Sequence, residues 1–308
     1  MNLMITGCAG FIGSHAVDVF LEQGHTIVGV DKMTYAGKEK NMSTFINKIK
    51  FYKCDIANHD KMVDIINKHN IDWVINFAAE SHVDRSIDSA ENFLHSNING
   101  VYSLLEACRK TGCNMFQIST DEVYGSTVED SFSETDTLSP RNPYSATKTA
   151  AEHLVKSFQT THGVKYKIVR MSNNFGPRQD EEKLIPKILK RLSDEQKVPI
   201  YGDGRNIRDW FYVKDCAKCI LEVFEKGKNN ETYNLSLSNE KENLEVISEI
   251  LELLDKEFDS NVEFVEDRPG HDFRYSINAN KFLDLCPNIK PTNFKAAILD
   301  TIRYYEKQ

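Results

Sequence analysis

Three features of the sequence predict an α/β fold, a doubly wound parallel sheet carrying a smaller mixed α/β domain. Short apolar, β-rich runs alternate with segments of helical spacing through the first half. Glycines follow the first run and open the first helical segment. Beyond residue 171 the alternation gives way to turn-rich pieces.

The strand-like runs are Leu3 to Thr6, Thr26 to Val30, Lys50 to Cys54, Trp73 to Ala78 and Phe116 to Ser119, separated by helical segments at Ile12 to Gln23, Met62 to His69 and Asn97 to Lys110. A longer helix is predicted from Pro143 to about Thr161, with Asn142 as N-cap, Pro143 in the first helical position and Gly163 just past the end. The run Lys167 to Met171 completes a six-strand order. Turns at Asn173 to Arg178, Gly202 to Asn206 and Arg268 to Asp272 then alternate with helices at Lys183 to Leu192 and Leu244 to Phe258. The Lys/Asn-rich stretches at Lys226 to Asn230 and Asn239 to Asn243 read as solvated loops.

Composition narrows the function classes. The 308 residues carry a net charge of -8 with basic residues dispersed, which argues against a nucleic-acid or membrane-surface partner. Met1 to Thr6 enters an apolar strand without a basic leader, and no apolar run approaches the roughly 20 residues of a membrane span, so a cytoplasmic protein is expected. Seven cysteines without a metal-ligand rhythm point to reduced thiols. Cys216 and Cys219 form a C-x-x-C in a helical segment without a second pair, so no metal site is assigned.

In ligand-binding sheets of this class the site lies at the carboxyl ends of the strands. After the first run come Gly7, Gly10 and Gly13, with Phe11 and Ile12 at the helix start. Such glycines permit a tight turn, close backbone approach to a pyrophosphate, and a helix N-terminus facing the phosphates. Asp31 ends the second run, where an acid accepts hydrogen bonds from an adenosine ribose and repels a 2′-phosphate. The pattern predicts a Rossmann-type domain binding NAD rather than NADP. Residues 1–171 and about 205–235 are assigned to this NAD-binding domain, and about 172–204 and 236–308 to a substrate-binding domain.

Tyr144 and Lys148 share a helix face at i, i+4. An ammonium beside a phenol lowers its pKa and could make it a base. Asp121 and Glu122 stand together at the end of the fifth run in Ser-Thr-Asp-Glu-Val-Tyr-Gly. Ser119-x-x-Glu122 could be a capping box, but Gly125 interrupts almost at once. A chemical task for adjacent acids is elimination: oxidation of a hexose at C4 acidifies the C5 proton, so a base can take it while an acid protonates the leaving C6 hydroxyl.

The glycine spacing is similar to that of extended short-chain dehydrogenase/reductases. Thr-Asp-Glu-Val-Tyr-Gly, Ala79 to Ser86, Asn173 to Pro177, Glu182 to Pro186, Pro199 to Gly202, Ile207 to Trp210 and Asp267 to Asp272 resemble the motifs of nucleotide-sugar 4,6-dehydratases over nearly the whole chain. The resemblance implies NAD contacts at Lys32, Met33, Thr34, Asp55, Ile56, Phe77, Ala78, Ala79, Glu80, Ser96 and Asn174. It implies Asp121 as general acid, Glu122 as general base, Thr120 as a hydrogen-bond partner of the hexose, and Tyr144 with Lys148 at the oxidation step. Glu182, Lys183 and Tyr275 would line the far side of the sugar. Ser81, Asn173, Leu184, Ile185, Pro199, Ile200, Tyr201, Asn243 and His271 would hold the sugar nucleotide, and Arg208 and Arg268 its diphosphate. Phe175 departs from the family's tyrosine, implying a missing hydroxyl near the site. The implied substrate is a nucleoside diphosphate glucose, dTDP-glucose before UDP-glucose, and the implied assembly a homodimer. A nucleotide-sugar 4-epimerase or decarboxylase on the same fold, and a non-catalytic NAD-binding protein, remain alternatives at this point.

Overall fold

A computed structural model describes residues 1–267 and 272–307. Its strands are β1 (Asn2–Thr6), β2 (Thr26–Asp31), β3 (Lys50–Lys53), β4 (Trp73–Asn76), β5 (Asn114–Thr120), β6 (Tyr166–Met171), β7 (Asn173–Phe175), β8 (Val198–Tyr201), β9 (Ile207–Tyr212), β10 (Glu231–Leu235), β11 (Glu240–Glu242) and β12 (Val262–Val265). Seven of them form one parallel sheet in the order β10-β6-β5-β4-β1-β2-β3. The expected six strands are thus joined by a seventh, β10, at the edge beside β6.

Alternate side chains of the central strands feed cores on opposite faces. Leu3, Ile5, Ile75 and Phe116 join one, while Met4, Val74 and Met115 join the other. That two-sided burial is why these strands read as continuous apolar runs rather than as alternating ones. A polar ladder crosses the sheet near its carboxyl end: the Thr6 hydroxyl donates to Asn76 Oδ1 at 2.6 Å, and Asn76 Nδ2 to Gln117 Oε1 at 2.9 Å. It ties together the strands that lead into the site.

The long helix is Pro143–His162. Asn142 accepts from the Ser145 amide at 2.8 Å and Gly163 closes the helix at φ +72°. The second half has its own core, built from the helices Leu184–Ser193, Asn243–Leu253 and Phe294–Tyr305 around β8 and Trp210. β9 pairs with β7 and β11 in a three-stranded sheet, whereas the helix Val213–Lys226 packs into the core of the large one. Cys216 and Cys219 are buried in that helix. Among the described residues no helix is long and apolar enough to cross a membrane.

Candidate active site

β1 runs into Gly7, whose φ of +68° lies in the left-handed region. A side chain there would meet the Ala78 backbone nitrogen at 2.6 Å, and one at Gly13 would meet the Gly7 carbonyl oxygen at 2.2 Å. The helix Phe11–Glu22 therefore starts hard against the loop. It has neither a capping side chain nor an acid in its first turn, so its amides and positive end suit an anion.

Two adjoining clefts, of about 250 and 90 Å³, share Gly7, Gly10, Ala36, Phe77 and Ala79. The smaller is lined by Asp31, Lys32, Thr34, Asp55, Ile56, Ala78, Glu80 and Ser96. Buried Asp31 accepts the Ala9 amide at 2.9 Å and the Met33 amide at 2.7 Å, so Met33 acts on the site through Asp31. Burial raises the Asp31 pKa, and the two amides oppose that rise. A carboxylate offers about four lone-pair positions, which leaves capacity for ribose hydroxyls. Asp55 is gripped by Lys32 at 2.7 Å and by His95 Nε2 at 2.9 Å. Burial would raise the Asp55 pKa, but Lys32, the Ala57 amide and His95 outweigh it and hold the value at about 2. His95 was not expected here. It reaches Asp55 from a π-helical turn, Leu94–Asn99, that no local sequence pattern announces.

The larger cleft holds Phe11, Ile12 and Gly13 at one end and Ser81, Thr120, Asp121, Glu122, Tyr144, Lys148, Asn173, Asn174 and Lys183 around its floor and walls. β5 delivers Thr120, and a single 3-10 turn, Asp121–Tyr124, follows before Gly125 breaks it at φ +88°. The capping reading was therefore half right. Thr120, not Ser119, caps the turn, accepting the Glu122 amide at 3.3 Å, and its hydroxyl donates to Asp121 Oδ1 at 3.1 Å. Asn142, the cap of the long helix, donates to Glu122 Oε2 at 3.2 Å. One residue thus fixes both the helix of Tyr144 and the carboxylate of Glu122.

Asp121 is 3% exposed, and its Oδ2 has no hydrogen-bond partner among the described residues. Burial, reinforced by the charge of Glu122, pushes its pKa up to about 8. Asp121 thus holds its proton in a cleft it shares with a second, adjacent carboxyl. Tyr144 departs from expectation. Burial and then Glu122 raise its pKa, opposed by a hydrogen bond with Thr120, and Lys148 does not lower it. The reason is geometric: Lys148 Nζ donates to the Ile118 carbonyl at 2.6 Å, and burial lowers its own pKa to about 8.

Several residues expected around the sugar nucleotide make contacts of their own in this structure. Glu182 pairs with Arg85, and with His82 Nε2 at 3.5 Å. Arg208 is buried over the Tyr275 ring at 4.5 Å and donates to the Asp272 carbonyl at 2.9 Å and the Ile207 carbonyl at 2.7 Å. The Tyr275 hydroxyl donates to Asp272 Oδ2 at 2.6 Å. Ile185 and Ile200 are buried in the second core, with Leu184 packed against it, and Tyr201 is exposed. Pro199 lies on β8, and Asn243 begins a helix with its amide on the Asn206 carbonyl at 3.0 Å. Arg268 and His271 lie outside the described residues. Phe175 corrects the departure noted from sequence: it is buried against Trp210, Tyr212 and Phe294, so its missing hydroxyl is a matter of the second core and not of the cleft. Gln179 and Asp180 line the larger cleft without having been anticipated, since they follow the Asn-Asn-Phe-Gly-Pro motif in a turn without periodicity.

Comparison with known proteins agrees with this geometry. The GDP-mannose 4,6 dehydratase family matches residues 4–285. The low-salt glycan biosynthesis protein Agl12 of Haloferax volcanii is 44% identical over 285 residues, 91% of each chain. An Escherichia coli dTDP-glucose 4,6-dehydratase is 37% identical across 99% of this chain and 93% of its own. The crystal structure of DesIV, a dTDP-glucose 4,6-dehydratase from Streptomyces venezuelae with NAD bound, superposes with a TM-score of 0.96 at 34% identity, covering 100% of this chain and 98% of that one.

Proposed function

Because the chain belongs to the GDP-mannose 4,6 dehydratase family, we propose that it dehydrates a nucleoside diphosphate glucose, dTDP-glucose in the first instance, to the 4-keto-6-deoxy sugar nucleotide. The observation that carries this reading is the pair Asp121 and Glu122 in the cleft of Tyr144 and Lys148, with Asp121 kept protonated to about pH 8. Epimerisation has no task for a protonated acid beside a second carboxylate.

NAD, when bound, supplies the acceptor for the C4 hydride and returns it to C6. Asp31 would hold the adenosine ribose, Asp55 the adenine end, and the first turn of Phe11–Glu22 the pyrophosphate. Tyr144 removes the C4 hydroxyl proton, which requires the Lys148 ammonium to turn from the Ile118 carbonyl toward the phenol. Glu122 then takes the C5 proton while Asp121 gives its proton to the departing C6 hydroxyl, so that water leaves; as hydride returns to C6, Glu122, after exchange with solvent, gives a proton back to C5. Thr120 holds both the acid and Tyr144, and Lys183 with Asn173 lies against the sugar.

The reading is tested by isotopes. Turnover in heavy water should place deuterium at C5 of the product, and a tritium label at C4 of dTDP-glucose should reappear at C6. A label that stays at C4, or a product without a ketone, would overturn it. Competition with UDP-glucose tests the base: one methyl in an apolar pocket is worth about 1–3 kcal/mol.

A homodimer is part of the proposal. Ile87, Leu94 and Tyr102 are 57%, 49% and 51% exposed on neighbouring helices, and Tyr102 packs edge-on against Phe158 of the long helix. Sedimentation should give twice the chain mass, and Tyr102→Asp should shift it to the monomer. A wild-type monomer at micromolar concentration would refute the interface.

A further inference from the structure

Behind the catalytic turn lies a buried charged network to which the proposed chemistry assigns no step. Arg170 on β6 stands in register with Ser119 on β5 and is 1% exposed; Glu152, on the long helix, is fully buried. Arg170 Nε donates to the Glu152 carboxylate at 3.0 and 3.1 Å, and Nη2 to Oε2 at 2.6 Å. Its remaining arm, Nη1, donates to the Tyr124 hydroxyl at 2.5 Å, and that hydroxyl donates to Asn234 Oδ1 at 2.8 Å. Asn234 is itself fixed by the Phe132 and Asn278 carbonyls at 2.9 and 3.1 Å, and Phe132 stacks on the Tyr124 ring at 5.1 Å between centroids.

Two properties set this network apart from ordinary core packing. A buried ion pair gains little over apolar side chains of similar volume, because desolvation cancels much of the attraction. Its geometry, however, is directional, and each end reaches one arm of the site. Glu152 follows Lys148 by four residues and Tyr144 by eight, so it sits along the face of the long helix that carries both. Tyr124 is the last residue of the turn that carries Asp121 and Glu122.

We propose that Tyr124, held by the Arg170 and Glu152 pair, is a positioning residue that fixes the Asp121–Tyr124 turn relative to the helix of Tyr144 and Lys148. The proposal rests on the dehydratase reading and deepens it: Tyr124 serves the elimination and not the hydride step. Tyr144 and Lys148 remain anchored by their own helix and its Asn142 cap. The acid and base sit on a four-residue turn whose last residue, Tyr124, is set by its hydroxyl bonds to Arg170 and Asn234 as well as by ring packing on Phe132, so loss of the hydroxyl removes the directional part of that hold.

The test separates the two steps. In Tyr124→Phe, single-turnover reduction of NAD by dTDP-glucose should stay within about twofold of wild type. Elimination, read as C5 exchange and ketone formation, should fall about ten- to a hundredfold with KM unchanged, the scale of a small misplacement of reacting groups. The variant Arg170→Lys keeps a cation beside Glu152, whose charge also supports the Lys148 ammonium, but loses the arm to the Tyr124 hydroxyl, and it should show the same selective loss. Equal loss of both steps, or unchanged elimination in either variant, would reduce the network to structural support and overturn the inference. Wild-type protein that reduces NAD with dTDP-glucose and never forms the deoxysugar would instead overturn the dehydratase reading, and this inference with it.

Discussion

Glu122→Gln should still reduce NAD in a single turnover with dTDP-glucose, while formation of the 4-keto-6-deoxy product falls about 10²- to 10⁴-fold, the usual contribution of a positioned general base. Glutamine keeps the shape of the side chain and can keep the contact with Asn142, which now lies 3.2 Å from Glu122 Oε2. The turn should therefore hold its place. The charge is lost, however, and the Glu122 charge is the second-largest influence, after burial, raising the pKa of both Tyr144 and Asp121. Its removal makes the Tyr144 phenol easier to deprotonate, so the oxidation step is relieved if it changes at all. The variant should accumulate the reduced cofactor, visible by nicotinamide absorbance in a stopped-flow trace. Parallel loss of both steps would mean that Glu122 organises the cleft and does not act as its base.

The part of the site that could be read from sequence is the part made by local spacing. Gly7, Gly10 and Gly13 fix a turn and a helix start within seven residues, and Asp31 terminates the adjacent parallel strand, so neither needs long-range information. Tyr144 and Lys148 share a helix face by periodicity alone. What escaped is what the fold brings from afar. His95 reaches Asp55 across 40 positions, and Asn142 reaches Glu122 across 20. Lys148 was expected beside the phenol because i, i+4 neighbours meet, but a buried ammonium needs an acceptor, and the Ile118 carbonyl on the strand below supplies one at 2.6 Å. Phe175 misled for a related reason. It stands one residue beyond Asn174, which lines the cleft, but on a strand successive side chains point to opposite faces, and its own face is the second core. Arg208, expected to bind phosphate as a guanidinium fork, also holds the carbonyls of the segment around Asp272, an orienting contact that local sequence does not announce. The strand β10 was missed because its neighbours are polar turns, and only its pairing with β6 defines it.

Asp121→Asn separates function from stability. As general acid, Asp121 must carry a proton, and burial with Glu122 beside it holds the pKa at about 8. The unfolded chain releases that proton near pH 4. Between these values the folded state binds a proton that the unfolded state does not, so this carboxyl's contribution is fully present below about pH 4 and is lost as pH rises toward 8, at up to about 1.4 kcal/mol per pH unit. Asparagine does not titrate, so the variant should lose that slope and gain stability relative to wild type as pH rises. Its amide leaves a donor to satisfy where Asp121 Oδ2 now has no partner among the described residues, which costs about 1–3 kcal/mol and offsets part of the gain. Elimination should fall about 10²- to 10⁴-fold, and in the wild type it should decline above about pH 8 as the acid ionises. Denaturation midpoints measured from pH 5 to 8 for both proteins check the linkage, and rapid-quench rates of ketone formation check the chemistry. Parallel pH slopes in the two proteins would place an ionised Asp121 in the folded state, and a carboxylate already charged at neutral pH could not protonate the leaving hydroxyl.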